Sequence, residues 1–334
     1  MFIKKNKIFV IAEAGNNHEG DFKLAKKLIF EAKKSGADAI KFQTIIPELL
    51  VSNENKKRLK QLNKFKLSFK EFKKLSIYAK ERKITFLSTP TDITSANFLN
   101  NIQSFFKIAS GDNNFLPLIK KIASFNKSII LSTGLADLSL ISNSKKIIFD
   151  EWKKKSKKKK NLVLMHCVSS YPVEPKNANL LAIKTLRKKY KDCVIGYSDH
   201  TIGTLSCITA AALGAKVIEK HFTLNKNQSQ FRDHKLSADP KEMRELIKSI
   251  RYIEITKGNG IKKLEKGEQG MLNSIRRKAV SSVDLKKGDI LTSKNIKWLR
   301  AAGGIRIDNI NKIYKKRIKK NLKKNTIIKQ NFIY

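Results

Sequence analysis

The chain contains no run of eighteen apolar residues, which excludes a membrane-spanning helix, since about 20 are needed to cross the hydrocarbon core. Cysteine is scarce. Cys167, Cys193 and Cys207 are odd in number and show no CxxC spacing, which excludes a disulfide framework and points to a reducing cytoplasm. Neither GxGxxG nor GxxxxGK occurs, so the phosphate-cradling loops of the commonest nucleotide-binding folds are missing. The opening stretch, MFIKKNKIFVIAEAG, places basic residues before an apolar run as a signal peptide does. That run covers only residues 8–12, shorter than the about 7–15 residues of a signal core, and is expected to form a first β-strand.

Acidic residues are also few, 28 against 71 basic ones, for a formal charge of +43. The basic set holds about 60 lysines and about 11 arginines, beside many isoleucines and asparagines, the bias an AT-rich coding sequence produces. Proteins that read nucleic acid lean on arginine for bidentate and stacked contacts, so no nucleic-acid partner is expected. The densest run, KKKSKKKK at 153–160, is expected to be a solvated loop. A positive field would still help to attract a phosphorylated or carboxylated substrate.

An apolar content of 41% with 18 phenylalanines describes a globular protein, long enough for one large domain and a small one. Eight short apolar runs end in polar residues: 8–15, 39–44, 84–89, 105–111, 128–134, 162–169, 194–200 and 217–223. Helical periodicity separates most of them, as in DFKLAKKLIFEAKKSGA, with Leu24, Leu28 and Ile29 on one face, and in TLSCITAAALGA, which ends near Gly214. Eight strands alternating with helices within about 260 residues predict a (β/α)8 TIM barrel over residues 1–265. A linker at 266–278 leads to a small β-rich domain at 279–334, where AVSSVDL, DILTSKNIKWL and NTIIKQNFI alternate around a KKGD turn. So small a domain is expected to pack on its own barrel or on a partner's.

In such a barrel the carboxyl ends of the strands face the active site. Those ends carry Glu13, Lys41, Gln43, Thr89, Lys107, Ser110, Ser132, Ser169, Tyr171, Ser198, His200, Glu219 and His221. Lys41 and Gln43, Ser198 and His200, and Glu219 and His221 are each two apart, so each pair shares one strand face. The two lysines can neutralise a phosphate or carboxylate while Thr89, Ser110 and Ser132 donate to its oxygens. His200 and His221 end neighbouring strands and suit one exchangeable divalent ion; a place in the core, or acid–base work, are the alternatives.

Taken in order, AEAGNNHEGD, KFQT, FLSTP, KIASGDNNFLPL, ILSTG, MHCVSSYP, IGYSDHT and EKHFT resemble the nonulosonic acid synthases, which make sialic, legionaminic and pseudaminic acids. The tail SIRRKAVSSVDLKKGDILTSKNIKWLRAAGGI is similar to their antifreeze-like (SAF) domain. The resemblance implies an enzyme that condenses phosphoenolpyruvate with a 2-acetamido sugar aldehyde, with a divalent ion, usually Mn2+ (Mg2+ or Co2+ as alternatives). It implies phosphoenolpyruvate contacts at Lys41, Thr89, Lys107, Ser110, Ser132, Ser169 and Ser198, and metal ligands at His200 and His221. Glu13, Gln43, Tyr171, Glu219 and Asp233 would surround the sugar and the reacting carbons. Arg300, in KWLRAAGG, would enter the partner's site in a domain-swapped homodimer.

Three departures bear on the sugar. Ser169 stands where the sialic acid synthases place Asn, which looks nearer the legionaminic and pseudaminic branches. The segment after the second strand, IIPELLVSNENKKRLKQLNKFKLSF, is short and offers no counterpart for a further polar contact. The family's GPDH reads FRDH, adding Arg232 beside Asp233 and His234. Rival readings are another phosphoenolpyruvate-condensing synthase, a Schiff-base aldolase using Lys41 or Lys107, and a basic nucleic-acid-binding protein on a degenerate barrel.

Overall fold

The computed structural model describes residues 7–155 and 160–334. Its chain divides into two compact units, Met1–Gly258 and Asn259–Tyr334. The first is built on eight parallel strands: β1 Phe9–Gly15, β2 Ala39–Thr44, β3 Thr85–Pro90, β4 Phe105–Ile108, β5 Ser128–Ser132, β6 Leu162–Cys167, β7 Val194–Asp199 and β8 Val217–His221. They run in the order β3-β2-β1-β8-β7-β6-β5-β4, with β3 and β4 side by side at the seam. The sheet is thus a nearly closed barrel of the expected (β/α)8 kind.

Two apolar layers follow from the period-2 alternation of each strand. Inside the barrel, Phe9, Ile11, Ala39, Leu87, Phe105, Ile130, Val163, Met165 and Val217 form one buried cluster. Gly196 makes room for it: a Cβ there would come 2.4 Å from the Met165 sulfur and 2.7 Å from the Val217 carbonyl. Outside, Val10, Ile40, Phe42, Phe106, Leu131, Leu164, Ile195 and Ile218 meet the helices in a second cluster. Helix Phe22–Lys34, capped by the Asp21 side chain, buries Ala25, Leu28, Ile29 and Ala32 there. Helix Leu205–Ala212 closes the β7–β8 crossover, followed by Gly214 at φ +102°, a conformation that favours glycine.

One expectation is corrected. Lys153, Lys154 and Lys155 form the last turn of helix Leu138–Lys155 instead of a loop, because lysine is a good helix former and its charge suits a helix C-terminus. Residues 156–159 of that run lie outside the described residues, as do residues 1–6, and Lys160 is in no regular element. Among the described residues no helix is long and apolar enough to cross a membrane.

The second unit has its own core of Ala279, Leu285, Leu291, Ile296, Ile305, Ile313, Ile318, Leu322, Ile328 and Ile333. Two of its stretches form regular antiparallel strands, β9 Arg277–Ser281 and β10 Ile296–Arg300. The last expected stretch, NTIIKQNFI, contributes only isolated bridges, such as Val280–Ile327 and Ile318–Ile333.

Candidate active site

The carboxyl ends of β1, β2, β4 and β8 bring four charged side chains together. Lys41 Nζ lies 2.8 Å from Glu13 Oε2 and 3.6 Å from Glu219 Oε1. Lys107 Nζ donates to Glu219 Oε1 at 3.3 Å, and Ser198 Oγ donates to the same oxygen at 2.9 Å. Thr89 Oγ1 accepts from Lys41 Nζ at 3.3 Å. Gln43 Nε2 stands 3.5 Å from Glu13 Oε1, while its carbonyl accepts from Asn16 Nδ2 at 3.0 Å. All four charged groups are buried.

Their environments separate the two carboxyls. Burial pushes Glu13 up to about 7, with Lys41 opposing and Glu219 adding to the rise. Burial acts on Glu219 in the same sense, but Lys107 and Lys41 outweigh it and hold Glu219 down at about 2. Burial lowers Lys107, with Glu219 acting against it. It pulls on Lys41 too, yet Glu13 and Glu219 together leave that lysine raised. Near neutral pH Lys41 is therefore an ammonium group, Glu219 a carboxylate and Glu13 near its midpoint, with Lys107 lying 3.3 Å from Glu219. Two lysines at one buried strand-end cluster suit an anionic ligand.

Hydroxyls from β4, β5 and β6 extend this floor. Ser110 Oγ accepts from the Gly134 N–H at 3.2 Å and lies 3.5 Å from the Cys167 sulfur. The Ser132 and Ser169 hydroxyls are buried without a protein partner. Unpaired buried polar atoms are costly, and a polar ligand removes the cost. Gly134 permits the arrangement, because a Cβ there would sit 2.3 Å from Ser169 Oγ and 2.7 Å from Ser110 Oγ. Asn113 fixes this turn by donating to the Ser132 and Gly134 carbonyls at 3.3 and 2.7 Å.

At the ends of β7 and β8 the His200 and His221 rings stand 5.3 Å apart between centroids. Burial lowers both below the usual histidine range, and His200 lowers His221 further, so both rings are neutral at pH 7. His200 Nδ1 donates to the Val168 carbonyl at 2.7 Å, which leaves the lone pair on Nε2. His221 Nδ1 is buried without a hydrogen-bond partner, 4.0 Å from Asp233 Oδ2. The Tyr171 ring lies 4.1 Å from that of His200, tilted by 33°, and meets His221 edge-on at 5.9 Å. Its hydroxyl is raised by burial and neighbouring negative charge. Among the described residues no group of three His, Cys, Asp or Glu is placed to hold a metal. A divalent ion would bind through two neutral imidazoles and complete its shell with water and substrate oxygens, as an exchangeable site does. The neutral rings and the unpartnered nitrogen fit that role.

Fourteen of the fifteen anticipated site residues lie in the first unit, at strand ends or in the loops just beyond; Asp233 follows β8. Arg300 lies in the second unit, exposed at the end of β10. Other residues at the rim escaped the sequence reading. Helix Lys56–Phe65, inside the segment that offered no counterpart, packs Phe65 edge-on against Phe231 at 5.1 Å. Arg58 on that helix is close enough for the charges of Arg232 and Asp233 to act on it. Arg232 itself lies over the Tyr171 ring at 4.6 Å and 3.3 Å from Asp233 Oδ1. Asn16 was legible only as part of a quoted motif, and nothing in the local pattern singled out Arg58.

A parallel barrel that gathers paired lysines, paired carboxyls, unpartnered hydroxyls and two neutral histidines at its carboxyl face belongs to the class of (β/α)8-barrel enzymes. Residues 28–262 match the NeuB family, and the chain belongs to that family. It is 41% identical over 338 residues to the N,N'-diacetyllegionaminic acid synthase of Campylobacter jejuni subsp. jejuni serotype O:2, covering 97% of this chain and 99% of that one. It is 32% identical over 344 residues to the pseudaminic acid synthase of the same organism, covering 98% and 97%. The crystal structure of N-acetylneuraminic acid synthetase from Leptospira borgpetersenii in complex with citrate superposes with a TM-score of 0.75 and 38% identity, covering 81% of this chain and 92% of that one.

Proposed function

We propose that this enzyme condenses phosphoenolpyruvate with a 2-acetamido sugar aldehyde and water, giving a nine-carbon sialic-acid-like sugar acid and phosphate. The observation that carries the reading is the Lys41–Glu13–Glu219–Lys107 cluster beside two neutral histidines, in a chain whose relatives are named as such synthases. Lys41 and Lys107 neutralise the phosphate and carboxylate of phosphoenolpyruvate, while Thr89, Ser110, Ser132, Ser169 and Ser198 orient its oxygens. Glu219, ionised throughout, stabilises positive charge that develops at the phosphate-bearing carbon. Glu13 is the carboxyl poised to exchange a proton near pH 7, and Gln43 and Asn16 orient it.

His200 and His221 would hold the divalent ion, Mn2+ by preference, with Tyr171 and Asp233 flanking them. Bound there, such an ion supplies Lewis-acid polarisation of the sugar aldehyde. The acceptor that the comparisons favour is a 2,4-diacetamido-trideoxyhexose in preference to N-acetylmannosamine, given the 41% identity with a legionaminic acid synthase and a serine at 169. The second unit acts as an antifreeze-like domain whose Arg300 completes the sugar site of a partner chain in a swapped homodimer. Three free cysteines, two of them buried, support a reducing cytoplasm as the place of work.

The test is phosphate release from phosphoenolpyruvate with a panel of mannosamine-type and 2,4-diacetamido-hexose acceptors, products read by mass spectrometry. Turnover should require both an acceptor and a divalent ion. No turnover with any acceptor, or borohydride trapping of a lysine adduct, would overturn the reading.

A further inference from the structure

A second ion pair sits on the outer side of the barrel wall, one residue before each histidine. Alternation along the strands turns Ser198, Glu219 and His221 inward and sends Asp199 and Lys220 outward, toward helix Leu205–Ala212. Both charged side chains have 0% exposure, and Lys220 Nζ lies 2.8 Å from Asp199 Oδ2. Asp199 Oδ1 accepts from the Tyr197 hydroxyl at 2.9 Å, the Thr201 N–H at 2.9 Å and the Thr201 hydroxyl at 2.8 Å. Its other oxygen faces the Cys207 sulfur at 3.4 Å, and Lys220 Nζ also donates to the Thr201 carbonyl at 2.5 Å.

Buried ion pairs are poor stabilisers, and apolar replacements of similar volume often serve stability as well. This one has a geometric use. The β7–β8 ladder ends at the register pair Asp199–Lys220, and β7 itself ends at Asp199. His200 therefore lies beyond the last β7–β8 pairing, and on its other side its carbonyl accepts from the Val173 N–H at 3.0 Å beside an isolated Val173–Thr201 bridge. The polypeptide is nevertheless held on both sides of it, by Asp199 before and by the Thr201 N–H and carbonyl after. Lys220, the residue preceding His221, anchors both ends of that clamp. We infer that the Asp199–Lys220 pair is a positioning device that fixes the His200 and His221 imidazoles relative to each other.

The inference goes beyond the proposed reaction and rests on the metal reading only for one of its readouts. The informative variant is Asp199→Asn combined with Lys220→Met, which removes both charges without stranding either. In purified, metal-stripped protein the Mn2+ dissociation constant should rise about 10-fold or more, while that for phosphoenolpyruvate moves less than twofold. Mn2+ affinity within twofold of the parent, or a parallel loss of both ligands, overturns the inference. If the parent itself binds no Mn2+, the metal reading fails and histidine 15N NMR decides: the parent should show His200 as the single Nδ1–H tautomer, and the variant a mixture. An unchanged spectrum overturns the inference. Should the double variant fail to fold, Thr201→Val removes one bond to Asp199 and should weaken Mn2+ about threefold or mix the tautomers; the absence of both changes overturns the inference.

Discussion

Replacing Glu13 by glutamine asks which force governs the buried carboxyl. The 2.8 Å contact with Lys41 suggests a stabilised carboxylate, but Lys41 is shared with Glu219 at 3.6 Å, and burial outweighs the remainder. Glu13 is raised from 4.5 to about 7, which at 1.36 kcal/mol per pH unit corresponds to about 3 kcal/mol. A carboxyl that is more basic when folded binds its proton more tightly in the native state. Its contribution to stability is full below pH 4.5 and is lost as pH climbs through about 7. Glutamine mimics the protonated form and does not titrate. In urea unfolding of ligand-free protein, the parent and Glu13→Gln should differ little at pH 4.5, and the variant should be more stable by about 3 kcal/mol at pH 8. Taking the difference cancels the titrating groups that do not interact with Glu13. A difference that stays flat within about 1 kcal/mol, or that favours the parent at pH 8, would refute the dominance of burial over the Lys41 ion pair and with it the choice of Glu13 as proton carrier.

Three further outcomes are expected. Gly134→Ala displaces the Ser110 and Ser169 hydroxyls and should weaken phosphoenolpyruvate binding, read by calorimetry, about 10-fold or more, at about 1 kcal/mol for each hydrogen bond lost; unchanged affinity would remove both serines from the anion site. Chelation by EDTA should abolish turnover and Mn2+ should restore it in the parent, whereas His200→Ala should lose activity by about 100-fold or more and respond weakly to added metal. Co-expressing Glu13→Gln with Arg300→Ala should recover about a quarter of parental activity, because half the dimers would carry one intact swapped site; no recovery would place Arg300 outside the partner's site.

The barrel was legible because each strand is a short apolar run that stops at a polar residue, and all eight such runs form strands at or within two residues of the expected starts. Strand parity also placed Lys41, Ser198, Glu219 and His221 on the interior side correctly. What lay outside that logic depended on long-range packing. Arg58 reaches the rim on a helix whose last residue, Phe65, docks on Phe231, a contact 166 positions apart in sequence. Asp199 and Lys220 occupy the alternate, outward positions of their strands, and parity cannot distinguish an outward residue in water from one sealed under a helix. In the second unit, residues 325–333 alternate like a strand but make isolated bridges, and a 3-10 turn at Gln330–Phe332 interrupts the stretch.

The interior cluster that plugs the barrel, with Met165 occupying the space Gly196 leaves, has a consequence for traffic. A filled cylinder has no back door. Whatever reaches Lys41 and Lys107 comes from the carboxyl face, where Tyr171, His200 and His221 also lie. On the proposed reaction, phosphoenolpyruvate and the sugar would share that one face, so the plug, as much as any affinity, would bear on the order in which they enter and leave.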